Sequence, residues 1–197
     1  MVRFADSLAR MADAILGNAS RPVARVTGSP ESLPPEATSL LDDAALALLV
    51  LCEPPSPTLP LRPEDARIAL QHLEVVSIPA GSLLIEERDD RATDFMLVLL
   101  SGEVRVETTV NPGVEPEVFA VRTAGVAMGA AGFMDGRPRW GTHQAVTPVR
   151  CLKITRTGLA SLVGSDPQVG ARLLLVIGRM MAGVQREQID RIKVSAR

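Results

Sequence analysis

The residues best suited to chemistry lie in one glycine-rich segment, which runs from Gly125 to Trp140. Four glycines followed by Arg137 and Arg139 predict a turn-rich loop with exposed backbone amides and guanidinium groups close behind. Amides of a tight turn or a helix start carry partial positive charge, and an arginine can hold a phosphate through two parallel hydrogen bonds. The segment is therefore a candidate anion site. A plain connector between strands, with solvated arginines, would give the same local pattern.

Histidine and cysteine, the usual metal ligands and nucleophiles, are scarce in this chain. The two histidines, His72 and His143, stand apart from any Cys or His cluster, so we expect surface or strand residues and no metal site. Cys52 and Cys151 lie far apart in apolar runs, which is typical of reduced core thiols in a cytosolic protein. No nucleophile elbow or phosphate-binding Walker loop is present. We therefore expect no catalytic residue and no cofactor.

Length and composition indicate one well-buried domain with an appendage, because the chain has 197 residues of which 46% are hydrophobic. The net charge is -2, yet residues 150–197 carry nine basic and three acidic side chains. Arginines there alternate with apolar residues, which favours an amphipathic helix over a nucleic-acid or membrane contact. The longest apolar run, residues 44–52, is too short to span a bilayer, and no signal peptide is evident. We expect a soluble, cytoplasmic protein.

The first 73 residues predict helices separated by a linker. Residues 1–17 have apolar side chains at helical spacing and should form an amphipathic helix, followed by a proline-rich linker over residues 18–38. Residues 39–73 form a helical lead-in with helices at about 40–51 and 63–72. We expect the first helix to dock on its own domain. Pairing with a second chain or contact with another protein are the alternatives.

Residues 74–155 form the core, where the hydrophobic period changes from helical to strand-like. Short runs rich in Val, Ile, Leu and Thr are separated by glycine and proline turns, which predicts an antiparallel barrel or jelly roll. The fold class is therefore α+β, mainly β, with N-terminal helices and a long C-terminal helix on its flanks. The expected strands span residues 74–78, 82–86, 95–100, 103–110, 117–123, 142–147 and 149–155.

Residues 156–197 predict C-terminal helices. A short helix spans about 156–163, and Ser165-Asp166-Pro167 is a start signal for a long helix that runs toward Lys193. An apolar stripe along this helix could pack only on the barrel. A helix of this length is also expected to extend past a small barrel, so we favour a homodimer through it. The stripe comprises Leu173, Val176, Ile177, Met180 and Val184.

This order of elements resembles the cyclic nucleotide-binding domain family over about residues 62–192. The run from Ile78 to Glu87 and the run from Asp94 to Val106 look like its opening strands. Gly125-x3-Gly129 and Arg137-Pro138-Arg139 resemble its phosphate-binding cassette. The resemblance implies that Arg139 pairs with a phosphate, and that a bound phosphate repositions the C-terminal helix. The implied binding residues are Gly129, Ala130, Ala131, Arg139 and Trp140.

Three residues depart from the family pattern. Ala130 stands where the family has the glutamate that accepts a hydrogen bond from the ribose 2′-hydroxyl, and Arg88 stands at a usual turn glycine, so that loop should differ. Trp140 replaces a small polar residue, and it either stacks on a ligand base or fills the base pocket, which we favour. An unpaired hydroxyl costs roughly 1 to 3 kcal/mol, so the sequence predicts weak or absent binding of cyclic AMP and cyclic GMP.

Three functions are compatible with this pattern. We expect a non-catalytic regulatory module that signals through the long helix, as a homodimer and with a protein partner that the sequence does not name. A ligand-independent adaptor of the same fold is the first alternative. A cupin-type enzyme is the second, although such barrels usually need about three histidines. The chain stops at Arg197 without a helix-turn-helix, so no sequence-specific DNA binding is expected.

Overall fold

A computed structural model describes residues 59–90, 93–109 and 116–195. The expected N-terminal helix, the linker and the helix at 40–51 lie outside these residues, as does Cys52. The described chain contains four helices and eight strands. They are α1 (Pro63–Leu70), β1 (Glu74–Ile78), β2 (Leu83–Ile85), β3 (Phe95–Ser101), β4 (Val104–Thr108), β5 (Glu117–Arg122), β6 (Ala127–Met128), α2 (Ala130–Asp135), β7 (Thr142–Ala145), β8 (Val149–Thr155), α3 (Arg156–Ser165) and α4 (Pro167–Ser195).

The strands form two antiparallel four-stranded sheets, in the orders β1-β8-β3-β6 and β2-β7-β4-β5. This arrangement, with a helix before the sheets and a long helix after them, confirms the predicted fold class. Two elements, β6 and α2, lie inside the segment that its glycines predicted to be a loop. Both are short, and neither has enough residues to display a hydrophobic period.

Strand β3 is buried on both faces, which explains its continuous apolar sequence. Met96 and Val98 belong to a core that the sheet shares with the helices. Leu97 and Leu99 point the other way, into a second core between the two sheets. Cys151 of β8 lies in that second core, fully buried, and burial raises the pKa of its thiol to about 12. The prediction of a core thiol at this position is confirmed.

Helix α4 is fixed to the body of the domain by apolar packing and a buried ion pair. Its residues Leu173 and Ile177 are buried against the sheet and against Leu162 of α3. Nη1 of Arg172 donates to both carboxylate oxygens of Asp65 in α1, each at 2.7 Å. The pair joins the first and the last helices of the described chain across the core. No helix in the described residues combines the length and apolarity that a membrane span requires.

Candidate ligand-binding site

Helix α2 has a left-handed glycine at each end, with φ of +69° at Gly129 and +73° at Gly136. Such backbone angles favour glycine, which has no Cβ. At Gly129 the requirement is doubled, because a Cβ there would lie 2.5 Å from Nη1 of Arg139 and 2.8 Å from Cδ1 of Ile85. The turn before α2 is therefore closed against an arginine side chain.

Arg139 is almost completely buried, with 3% of its surface exposed. Its Nη1 donates to the carbonyl of Gly129 at 2.5 Å, and its Nη2 donates to the carbonyl of Phe95 at 2.7 Å. The guanidinium carbon also lies 5.1 Å from the centroid of the Phe95 ring, a cation–π distance. One side chain thus connects the turn before α2 with the start of β3.

The electrostatic surroundings keep this guanidinium charged. Burial lowers the pKa of Arg139, while the carboxylates of Asp89 and Asp94 act in the opposite direction. An arginine remains protonated at neutral pH even after a moderate decrease in pKa. The group is a buried cation whose hydrogen bonds to Gly129 and Phe95 are made within the protein.

The β2–β3 turn that holds Arg139 has a residue in a strained conformation. Arg88 has a φ of +64°, in the left-handed region, although it is not a glycine. Its backbone N–H donates to the carbonyl of Arg139 at 2.7 Å, and the N–H of Arg139 donates to the carbonyl of Asp89 at 3.3 Å. The loop therefore keeps the turn that a glycine would make. Our expectation that this loop differs from the family's loop stays a prediction, and these hydrogen bonds help to offset the cost of the left-handed residue.

Glycine at position 88 should stabilise the domain. The Arg88→Gly variant removes the left-handed strain, which costs roughly 1 to 2 kcal/mol, at the expense of a more flexible unfolded chain. We expect a net gain of about 1 kcal/mol in the free energy of unfolding, measured by urea denaturation. Arg67→Gly, at an exposed helical position without positive φ, is the control and should lose stability. A loss of stability in Arg88→Gly would show that the turn is not strained.

A cavity of about 420 Å³ lies between the α2 turn, the second sheet and helix α4. Its walls carry no Asp, Glu, Lys or Arg among the described residues, and its only ionisable side chain is that of His143. The lining residues are Thr108, Ala127, Gly129, Ala130, Ala131, Trp140, His143, Met181, Val184, Gln185 and Gln188.

Trp140 forms one wall of the cavity and leaves it open. The indole is 40% exposed and meets the ring of His143 edge-on, with centroids 5.9 Å apart and planes at 74°. Aromatic rings in this geometry attract each other through their quadrupoles. The indole lines the cavity and leaves space beside it, whereas we preferred a filled pocket from the sequence.

His143 is buried in β7, with 4% of its surface exposed. Its Nδ1 lies 3.1 Å from the carbonyl oxygen of Gly141. A carbonyl oxygen only accepts, so Nδ1 carries the proton and Nε2 is an acceptor. Burial lowers the pKa of the imidazole to about 4, and the charges of Arg139 and Arg122 also oppose its protonation. His143 is therefore neutral at physiological pH.

Helix α4 closes the remaining side of the cavity. Met181, Val184, Gln185 and Gln188 line it at the spacing of one helical face. An ion pair holds the helix there, since Nη1 of Arg122 in β5 donates to Oε2 of Glu187 at 2.5 Å. Any movement of α4 would therefore change both the cavity and this ion pair.

The structure brings together four of the five residues implied by the resemblance. Gly129, Ala130, Ala131 and Trp140 line the cavity, whereas Arg139 lies behind Gly129 and is absent from the walls. Sequence reasoning missed His143 and the four residues of α4. Inward positions on β7 could have indicated His143, and the apolar stripe of α4 indicated the face that packs on the barrel, but not that Gln185 and Gln188 line the cavity.

Comparisons with known proteins agree with this architecture. A family model described as the cyclic nucleotide-binding domain matches residues 75–166. No match was found among curated protein sequences. A cyclic nucleotide-binding domain from Methylobacillus flagellatus superposes with a TM-score of 0.71 at 24% identity, over 78% of this chain and 85% of the other.

Two further structures share the fold at lower identity. The c-di-GMP responsive regulator CLP of Xanthomonas campestris has a TM-score of 0.56 and 17% identity, over 69% of this chain and 64% of its own. The regulatory domain of Toxoplasma gondii PKA with cAMP has a TM-score of 0.53 and 16% identity, over 72% and 49%. The matched segment contains all eight strands except the first residue of β1, together with α2, the Gly129 turn and Arg139. Residues 75–166 of this chain therefore match the model of the cyclic nucleotide-binding domain family, and the solved structures share the fold of this segment.

Proposed function

We propose that this chain is a non-catalytic regulatory module of the cyclic nucleotide-binding fold that does not use cyclic AMP or cyclic GMP as its signal. The observation that carries the proposal is the position of Arg139. The guanidinium that the resemblance assigns to a phosphate is buried beneath the α2 turn and donates to the carbonyls of Gly129 and Phe95. The guanidinium therefore acts as a structural connection. The signal of the module would pass through α4 to a partner in the cytoplasm.

The energetic balance of phosphate binding supports this proposal. A phosphate that drew the guanidinium of Arg139 away from the two carbonyls would cost the carbonyl of Phe95 this donor, about 1 to 3 kcal/mol, although the carbonyl of Gly129 would keep its hydrogen bond from the N–H of Phe133. Ala130 lines the cavity with a methyl group, which cannot accept the ribose hydroxyl. Both losses act on the same ligand. Together they should raise the dissociation constant of a cyclic nucleotide above the micromolar range.

Helix α4 is the element suited to carry the output. Its residues Leu173 and Ile177 are buried against the barrel and a later part of the helix lines the cavity, whereas Leu175, Ile189 and Ile192 are exposed to solvent. These residues fall in a repeat of three and four, with small residues at Gly178 and Ala182 between them. Such a repeat is typical of a helix that pairs with a copy of itself. We propose that α4 forms the interface of a homodimer.

Light scattering tests the dimer. The wild-type chain should have twice the monomer mass, and Ile189→Glu should shift it to the monomer because a charge would enter the interface. Val163→Glu introduces the same charge at an exposed residue of α3 and serves as the control, which should remain dimeric. A wild-type monomer at about 100 μM would exclude this interface, since a stable dimer has a much smaller dissociation constant.

A ligand-independent adaptor is the second candidate, and one observation favours it. The ion pair between Arg122 and Glu187 holds α4 against the barrel without any ligand. A thermal-shift panel of cyclic mononucleotides, cyclic dinucleotides and uncharged nucleosides distinguishes the two functions. A rise in melting temperature with any compound supports the regulatory module, and no change across the panel supports the adaptor.

Among the residues that the structure describes, no group of three His, Cys, Asp or Glu could hold a metal.

A further inference from the structure

We propose that the cavity between the α2 turn and α4 binds an uncharged, flat heteroaromatic molecule that donates an N–H or O–H hydrogen bond to Nε2 of His143. The inference rests on the proposed function, because it requires that Arg139 stay in its structural position. It goes further in naming the chemistry of the ligand and the residue that selects it.

The side chains that line the cavity offer no counter-charge to a strongly charged ligand, and the amides at the start of α2 carry only partial charge. The only ionisable lining residue is His143, which is neutral at physiological pH. An anion would lose its hydration shell without gaining an ion pair, since the guanidinium of Arg139 lies behind Gly129 and donates to backbone carbonyls. Burying a charge without a partner is among the costliest events in a protein interior. An uncharged molecule avoids that cost.

Nε2 of His143 supplies a specific polar contact. The histidine is 96% buried and lines the cavity, and its Nδ1–H is already engaged by the carbonyl of Gly141. Within the described ranges no side chain or backbone group donates to Nε2. A ligand that covered this acceptor without offering a donor would leave it unpaired, whereas a ligand with a donor would satisfy it. The ligand should therefore present an N–H or O–H group at this point.

The rest of the cavity suits a flat ring. The indole of Trp140 offers an aromatic face, and Met181 and Val184 of α4 contribute apolar walls. Stacking of a heteroaromatic ring on an aromatic side chain contributes about 1 to 3 kcal/mol and does not depend on which ring it is. Gln185 and Gln188 add two amides at the α4 side, and no intramolecular hydrogen bond of either side chain occurs within the described residues. Such amides can pair with ring nitrogens or carbonyls.

The chain contains a built-in reporter for this site. Trp140 is the only tryptophan, and the chain has no tyrosine, so fluorescence excited at the indole band comes from the cavity wall alone. Two matched pairs of probes separate charge from shape: adenosine with cyclic AMP, and guanosine with cyclic GMP. In each pair the base and the sugar are shared and only the cyclic phosphate differs.

We expect at least one nucleoside to change the Trp140 fluorescence with a dissociation constant below about 1 mM, and its cyclic phosphate to bind at least about tenfold more weakly. Failure of both nucleosides would overturn the inference and leave the proposed function standing. Equal or tighter binding of a cyclic nucleotide would overturn both. The two failures are therefore distinguishable.

A variant of His143 tests the role of Nε2. The amide nitrogen of His143→Asn takes the place of Nδ1 and can still donate to Gly141, while the acceptor at Nε2 is lost. Nucleoside affinity should fall about tenfold with the melting temperature nearly unchanged. His72→Asn makes the same substitution outside the cavity, where His72 contacts Ser161, and should bind like the wild type. Unchanged affinity in folded His143→Asn would contradict the assignment of Nε2.

Discussion

Replacing Arg139 with alanine should destabilise the domain by about 3 kcal/mol or more. An arginine that served only to bind a phosphate at the surface would not have such an effect on stability. The side chain is 3% exposed and donates to the carbonyls of Gly129 and Phe95. Alanine removes both donors; the carbonyl of Phe95 loses this hydrogen bond, at a cost of about 1 to 3 kcal/mol, whereas the carbonyl of Gly129 keeps the hydrogen bond from the N–H of Phe133. It also leaves a cavity beneath Gly129 and ends the contact with the Phe95 ring.

Urea denaturation of Arg139→Ala and of Arg137→Ala provides the measurement. Arg137 lies two residues earlier in the same segment, and its side chain is 84% exposed, with one long contact of 3.9 Å to Asp135. Its replacement should change the free energy of unfolding by less than about 0.5 kcal/mol. If Arg139→Ala were as stable as Arg137→Ala, the guanidinium would not be the structural connection described here.

Breaking the ion pair between Asp65 and Arg172 should have an effect of similar size. Both side chains are buried, and Nη1 of Arg172 donates to both carboxylate oxygens. Asp65 additionally accepts from the backbone N–H of Arg62 at 2.8 Å, at the start of α1. Asp65→Ala leaves a buried guanidinium without its counter-charge, and such losses cost about 3 to 5 kcal/mol.

Glu64→Ala is the matched control for Asp65→Ala. Glu64 is the neighbouring acidic residue of α1, and its side chain is mostly exposed, with a 3.8 Å contact to Arg62. Because exposed ion pairs contribute little, its replacement should change the melting temperature by no more than a few degrees. A double variant, Asp65→Asn with Arg172→Met, should recover part of the lost stability, since it removes the uncompensated charge. Equal melting temperatures for the two alanine variants would contradict a role for this pair in fixing α4.

The strands and the flanking helices could be predicted because their signals are local. Alternation in β4 and the turn signals around Gly81 and Gly102 predicted the ends of the neighbouring strands to within a few residues. The apolar run of β3 is typical of a strand buried on both faces, as the structure confirms. The start signal at Pro167 also gave the correct beginning of α4.

The site could be predicted only in part because its geometry depends on contacts between distant residues. Glycine spacing located the α2 turn, but whether Arg139 points to solvent or to the carbonyl of Phe95 depends on the position of β3, 44 residues away. The wall formed by α4 likewise depends on tertiary packing. His143 occupies an inward position on β7, but the sequence does not show the hydrogen bond to Gly141 that fixes its ring.

The most direct test of the central claim is a calorimetric titration of the wild-type protein with cyclic AMP. Our account holds that Arg139 is a structural residue, and that Ala130 leaves the ribose hydroxyl without an acceptor. It predicts no saturable binding up to about 1 mM ligand, which corresponds to less than about 4 kcal/mol of binding free energy. Saturable binding with a dissociation constant of about 10 μM or less would show that the guanidinium is available to a phosphate, and would contradict the account.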